Sequence, residues 1–220
     1  KDTLRKNADI AMYKVKSGGK NGYAFYSEKM KSRYTQSLDI ENGLRRAIST
    51  DELRVFYQPQ YDIINGKMVG VEALVRWQHP ERGLIEPNEF IHVAEECGLI
   101  IPLGEWVLRQ ACKDINRWRE QESVQLSLSV NISVQQLEME PFVAKTISII
   151  KRMKLPRNIL ELEITEHAIM QDMDKAIDTL GRLTDKGVRI AIDDFGTGYS
   201  SLGYLQTLPI NTLKMDRSFV

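Results

Sequence analysis

Four segments of the second half, "QLSLSVNIS", "ILELEITE", "VRIAIDDF" and "NTLKMDRSF", share one arrangement. Within each, apolar and polar residues alternate, and helical periodicity separates each from the next. Alternation fixes the faces. Leu126, Leu128, Val130 and Ile132 oppose Ser127, Ser129 and Asn131; Leu160, Leu162 and Ile164 oppose Glu161, Glu163 and Thr165. Val188, Ile190 and Ile192 oppose Arg189, Ala191 and Asp193, and Leu213 and Met215 oppose Thr212, Lys214 and Asp216. Strands alternating with helices form a parallel sheet with right-handed crossovers, either an open doubly wound sheet or a closed (β/α) barrel. A parallel sheet covered by helices on both faces has no use for a recurring polar face. A barrel does, because its inward polar residues converge at the C-terminal strand ends where barrel active sites lie. The pattern predicts an α/β fold of the TIM-like barrel kind.

Further segments extend the rhythm toward the N-terminus. "LRVFYQPQYDI" and "KMVGVEALVRWQ" read as strands joined through "NGK" into a hairpin, which makes six strands in all. In the second of these, Gly70, Glu72, Leu74 and Arg76 share a face. "SLDIENGLRRAIST" reads as a helix with Leu38, Leu44 and Ile48 toward a core, and "PFVAKTISIIKRMK" as one with Val143, Ile147 and Ile150 inward. "SSLGYLQTL" is expected to be helical as well. Residues 1–27, with a helical run broken at Gly18-Gly19 and "YAFY" as one strand, are too few to bury a core. They read as the tail of a domain whose body lies upstream, and the polar residues 28–37 as a helical linker.

Composition excludes several classes. The 220 residues are 42% hydrophobic and 27% charged, as in a soluble globular protein. Thirty basic residues balance thirty acidic ones, which argues against wrapping DNA or docking on an anionic membrane. Cys97 and Cys112 form no CxxC unit, so neither a zinc framework nor a disulfide scaffold is expected, and a cytoplasmic location is the default. No apolar run reaches the roughly 18 residues of a membrane helix.

Near the strand ends the inward set is Glu72, Asn131, Glu163, Asp193 and Lys214, with Asp194 beside Asp193. Carboxylates and an amide oxygen, without thiolates or paired histidines, are the donors preferred by Mg²⁺ or Mn²⁺ rather than Zn²⁺. Two adjacent aspartates become favourable when they hold cations, and a shared carboxylate can bridge two of them. A pair of metals roughly 3.5–4 Å apart suits in-line hydrolysis of a phosphate ester. Lys214 is placed to orient water or neutralise developing charge, and Arg76 suits a phosphate oxygen. Gly196 and Gly198 give the following loop the freedom of a lid. Singly, each residue has a plainer explanation: Glu72 as a surface carboxylate, Asn131 as a turn former, Lys214 as an ion-pair partner. Glu161, deeper on its strand, reads as structural, and His79, His92 and His167 are too scattered to ligate.

The segments "YQPQ", "VEALVRW", "SVNIS", "LELEITE", "IDDFGTGYSSL" and "LKMDRSF", in that order, resemble the EAL domain of cyclic di-GMP phosphodiesterases over residues 38–220. Residues 1–27 resemble the C-terminal end of a GGDEF (diguanylate cyclase) domain without its signature loop, so no cyclase activity is expected of them. The resemblance implies a TIM-like barrel that hydrolyses cyclic di-GMP to linear pGpG. It implies Glu72, Asn131, Glu163 and Asp193 as ligands of one metal, Asp193 and Asp194 as ligands of a second, and Lys214 as the active-site lysine. Gln58, Leu74 and Arg76 match substrate-contacting positions, and Glu166 a glutamate that braces the loop after the aspartates. That loop and the next helix, 195–205, are implicated in a homodimer. One position departs from the family's usual "LPID": Asn211 stands where aspartate is usual, outside the proposed ligands. A closed (β/α)₈ barrel takes about 250 residues. The chain is therefore expected to stop short of barrel closure and of a downstream catalytic glutamate, and to be inactive by itself. The rival expectation is an EAL domain that binds the dinucleotide without cutting it.

Overall fold

A parallel strand returns beside its neighbour only through a crossover of a dozen residues or more, whereas antiparallel neighbours need only a turn. The structure, a computed structural model describing residues 2–17, 21–122, 125–196 and 204–219, uses both connections. In chain order it has α1 (Asp2–Ser17), α2 (Glu28–Ala47), β1 (Leu53–Tyr61), β2 (Met68–His79), β3 (Gly83–Ile85), α3 (Pro87–Glu96) and α4 (Ile100–Glu122). There follow β4 (Ser127–Asn131), α5 (Val134–Glu138), α6 (Phe142–Arg152), β5 (Leu160–Thr165), α7 (Glu166–Met170), α8 (Met173–Thr184) and β6 (Arg189–Phe195). A 3₁₀ turn at Tyr204–Gln206 precedes β7 (Thr212–Met215), and another at Arg217–Phe219 follows it. The chain divides into two units, Lys1–Leu53 with Trp77–Leu99 and Arg54–Arg76 with Ile100–Val220.

The second unit carries the sheet. Its strand order is β1-β2-β4-β5-β6-β7, and β2, β4, β5, β6 and β7 are parallel neighbours. The connection between β1 and β2 is a turn too short for a parallel crossover. Asp62 holds it, its Oδ1 accepting from the N–H groups of Ile64 (2.8 Å) and Asn65 (3.3 Å). The parallel order never reverses, so successive right-handed crossovers put their helices on one face, as in a barrel and unlike a doubly wound sheet. On that face Leu128, Leu160, Leu162, Ile164, Ile190 and Ile192 are buried, with Leu108, Cys112 and Ile115 of α4 and Leu180 and Leu183 of α8. Each such aliphatic side chain contributes about 1.5–3 kcal/mol by leaving water. Tyr57 of β1 ties α4 down through a 2.8 Å hydrogen bond to Asp114 and edge-to-face packing on Trp118. The sheet is not closed: β1 and β7 are its two ends, and Leu213 and Met215 of β7 are exposed.

Several sequence expectations are corrected. β3, α5 and α7 are additional short elements, and the expected helix at 200–208 falls partly outside the described residues, its described part being the 3₁₀ turn. The buried stripe of α6 is Phe142, Val143, Thr146 and Ile149 rather than Val143, Ile147 and Ile150, because a buried threonine takes part in it. "YAFY" forms no strand: residues 22–27 have no ladder partner, and Tyr23 and Phe25 are exposed. No helix among the described residues is long and apolar enough to cross a membrane.

The first unit is built on helices. Helix α2 runs unbroken across residues 37 and 38 from its N-cap Ser27. It buries Ile40, Leu44 and Ala47, while Leu38 is exposed and Ile48 half-buried. Helix α1 buries Ile10, and Tyr13 donates to Glu96 of α3 at 2.7 Å while its ring meets Tyr34 of α2 edge-on. Burial, and then that hydrogen bond, push the Tyr13 phenol above its ordinary range. At the centre lies Trp77, buried against Phe90 and His79, its Nε1 donating to Glu52 at 3.1 Å. Gly43 gives the indole its space: a Cβ there would stand 2.7 Å from Trp77 Cη2.

Alanine at position 43 improves helix propensity by about 1 kcal/mol. Overpacking a fixed ring costs about 1–3 kcal/mol. Gly43→Ala is therefore expected to lower stability by about 1 kcal/mol in urea unfolding. A variant more stable than the parent would show that Trp77 moves aside freely.

Candidate active site

Carboxylates from three strands meet one ammonium group on a fourth, and an amide from a fifth supports them. Lys214 Nζ of β7 lies 2.5 Å from Glu163 Oε2 of β5, 3.3 Å from Glu72 Oε2 of β2 and 3.4 Å from Asp193 Oδ2 of β6. Asn131 of β4 donates from Nδ2 to Glu72 Oε1 at 2.8 Å. The ladder sets this grouping, pairing Asn131 with Glu163 and Thr165 with Asp193. Glu163 is buried at 1% exposure, and its second oxygen, Oε1, is buried without a hydrogen-bond partner. Burial pushes its carboxyl up to about 7; the hydrogen bond from Lys214 opposes the shift and the charge of Glu72 adds to it. Burial alone would favour the neutral amine at Lys214, but Glu163, Glu72 and Asp193 together outweigh it and raise its pKa. Lys214 is thus the member of the pair that stays protonated.

Asp193 and Asp194 sit in a β-bulge. Ile192 pairs with Leu213 and Phe195 with Met215, so two residues of β6 stand opposite Lys214 alone. In a regular strand adjacent side chains point to opposite faces; the extra residue of a bulge re-aims one of them. Asp194 takes up the distortion with φ at 52°, a left-handed conformation that aspartate tolerates better than most residues. Partial burial, then the charges of Asp193 and Asp216, raise its pKa, with Lys214 opposing them.

Glu166, buried at the first position of α7, accepts from the Gly196 N–H at 3.3 Å. Gly196 has φ at 97°, and a Cβ there would stand 2.7 Å from the Phe219 ring. The rest of the expected lid and dimer segment, residues 197–203, lies outside the described residues. Arg76 on β2 places its guanidinium 5.7 Å from the centre of the Phe56 ring. Gln58 is exposed on β1 and Leu74 half-buried on β2; neither takes part in the cluster's hydrogen bonds. The side-chain oxygen of Asn211 accepts from the Ile190 N–H at 2.9 Å.

The structure thus brings Glu72, Asn131, Glu163, Asp193 and Lys214 together, with Asp194 adjacent. Among the described residues no three His, Cys, Asp or Glu side chains form a ready metal cage, and the Lys214 ammonium stands between the carboxylates. The donor chemistry nevertheless fits a hard divalent cation, and the orphaned, buried Glu163 Oε1 is the kind of oxygen such an ion satisfies. Glu161, read from the sequence as structural, is buried and paired with Arg189 at 3.0 Å, opposite charges on the polar faces of two successive strands.

A mostly parallel α/β sheet with a carboxylate cluster on its polar face defines the class of site. The chain belongs to the EAL domain family, which it matches over residues 41–220. It is 42% identical over 214 residues to the bifunctional diguanylate cyclase/cyclic di-GMP phosphodiesterase MucR of Pseudomonas aeruginosa, covering 97% of this chain and 31% of MucR. It is 42% identical over 219 residues to the cyclic di-GMP phosphodiesterase NbdA of the same organism, covering 100% of this chain and 28% of NbdA. The chain therefore spans less than a third of these relatives. A solved structure of the MucR phosphodiesterase in complex with c-di-GMP superposes with a TM-score of 0.79 at 42% identity, covering 82% of this chain and 73% of that one.

Repulsion at the bulge yields a prediction. Asp194→Asn keeps a residue that tolerates the left-handed conformation and removes a charge that faces Asp193 and Asp216. In metal-free buffer at neutral pH it is expected to unfold at a higher temperature than the parent. The gain should be below about 1 kcal/mol, because the side chain is solvent-exposed. A lower melting temperature would mean that contacts of the charged side chain hold the bulge.

Proposed function

We propose that this EAL domain hydrolyses cyclic di-GMP to linear pGpG in a metal-dependent reaction. The observation that carries the reading is the buried, half-satisfied Glu163 grouped with Glu72 and Asp193 on the polar face of parallel strands. The names of MucR and NbdA, and the c-di-GMP in the solved MucR complex, support the substrate. Glu72, Asn131, Glu163 and Asp193 would hold one Mg²⁺ or Mn²⁺, and Asp193 with Asp194 a second. Such ions supply charge neutralisation on a phosphoryl oxygen and activation of water at neutral pH.

The chain's own residues have separate tasks. Lys214, kept protonated by its carboxylates, sets a fixed positive charge where phosphate charge develops. Arg76 offers donors to a phosphate oxygen, backed by the Phe56 ring. Gln58 and Leu74 line the approach of the nucleotide. Glu166, through Gly196, anchors the start of the loop that follows the aspartates, and the segment 195–205 serves a homodimer. Residues 1–27 are read as the end of a GGDEF domain, a reading supported by the bifunctional name of MucR. The working location is the cytoplasm.

The test is chromatography of cyclic di-GMP incubated with the full-length protein, with and without Mg²⁺. pGpG is expected only with metal. Glu163→Gln is expected to reduce its formation at least about a hundredfold, by loss of a ligand oxygen charge. Binding of the dinucleotide without any cleavage would instead make the domain a receptor.

A further inference from the structure

Beneath the Lys214 cluster lies a second polar layer that the proposed reaction leaves unused. Glu161, the previous inward residue to Glu163 on β5, is buried. Its Oε2 accepts from Arg189 Nε at 3.0 Å and from Thr212 Oγ1 at 2.7 Å, and its Oε1 from Ser129 Oγ at 3.4 Å. Arg189 Nη2 also donates to Thr212 Oγ1 at 3.2 Å, and Gln60 Nε2 to Ser129 Oγ at 3.5 Å. Ser129 and Arg189 are the direct ladder partners of Glu161 on either side.

Each member shares a strand with a residue of the site. Ser129 precedes Asn131 on β4, Glu161 precedes Glu163 on β5, Arg189 precedes Asp193 on β6, and Thr212 precedes Lys214 on β7. Same-face neighbours on a strand are separated by about 7 Å, so the layer lies one pleat below the site residues on β4, β5 and β7 and two pleats below Asp193 on β6, where Ala191 intervenes. Stability is a weak account of it. Glu161 loses its hydration on burial while the Arg189 side chain stays 37% exposed, and an ion pair so placed adds little over an apolar pair of similar volume. What such a pair supplies and leucine does not is directional bonding among four strands at a fixed spacing.

We propose that Glu161 and Arg189 are positioning residues. Their layer fixes the lateral spacing of β4, β5, β6 and β7, and so holds Asn131, Glu163, Asp193 and Lys214 within reach of a common centre. The inference rests on the reading of the upper layer as a metal site.

The experiment is calorimetric titration of the full-length protein with Mn²⁺ alone. The double variant Glu161→Leu/Arg189→Met replaces the pair with apolar side chains, and its folding is checked by circular dichroism. Thr212→Val, which removes one donor to Glu161 and spares the ion pair, provides a milder change that keeps the test open if the double variant does not fold. The folded double variant is expected to bind Mn²⁺ about tenfold or more weakly, the usual size of an effect one shell away from a metal. Thr212→Val should give a smaller loss in the same direction, and Arg189→Lys should be intermediate, keeping the charge without the planar fork. Unchanged Mn²⁺ affinity in the folded variants would overturn the positioning role. Parent protein that binds no Mn²⁺, or binds it equally well after Glu163→Gln, would overturn the metal reading and this inference with it.

Discussion

The contact of the Lys214 ammonium with Glu72, Glu163 and Asp193 is what makes a cluster of carboxylates tenable on this sheet. Two like charges 4 Å apart repel by about 4 kcal/mol at an effective dielectric constant near 20, enough to splay the strand ends or force protonation. One ammonium placed among the three offsets much of this repulsion, and the carboxylates in turn keep it charged against the penalty of burial. The balance is incomplete, because one positive charge faces three acidic groups. Burial first, and the charge of Glu72 after it, keep the Glu163 carboxyl raised despite Lys214, and its Oε1 is left without a partner. A site with residual negative potential and a free buried oxygen is the physical basis for the cation preference proposed above.

The bulge at Asp193 and Asp194 resolves a conflict between period two and the chemistry. A regular strand cannot present consecutive side chains to one place, yet this chain has consecutive aspartates at the end of β6. Doubling the residues opposite Lys214 keeps Asp193 on the polar face and turns Asp194 through a left-handed backbone. The strained conformation and the repulsion are both borne at the same step, and two residues on stands Gly196, whose N–H is held by Glu166. The distortion is thus fixed at both ends: by ladder pairing before it and by a carboxylate after it.

Much of this was legible because the informative positions obey alternation. Assigning Glu72, Asn131, Glu163, Asp193 and Lys214 to one face needed only period two and the direction of parallel strands. The helices were read less well. Leu38 and Ile48 were expected inside α2, but Ile40 and Ala47 are the buried positions, with Gly43 accommodating Trp77; a stripe that uses small residues carries little hydrophobic signal. In α6 a buried threonine had the same effect. Nor does alternation specify a bulge, since doubling is a property of the paired strand. Finally, "YAFY" shows that β propensity without a ladder partner forms no strand.

Glu161 and Glu163 show why residue type and face are not enough to assign a role. Both are glutamates on β5, both point to the polar face, and both are buried. Glu161 meets donors from three other strands, so both of its oxygens are used within the protein. Glu163 meets Lys214 through one oxygen and leaves the other without a partner. A carboxylate whose oxygens are all occupied by protein donors has its geometry fixed and little left to offer a ligand. One with an unused oxygen in a desolvated setting bears a penalty that folding alone does not require. The division proposed between a framing layer and a metal-binding layer therefore rests on where the donors stand, one pleat apart on β4, β5 and β7 and two on β6.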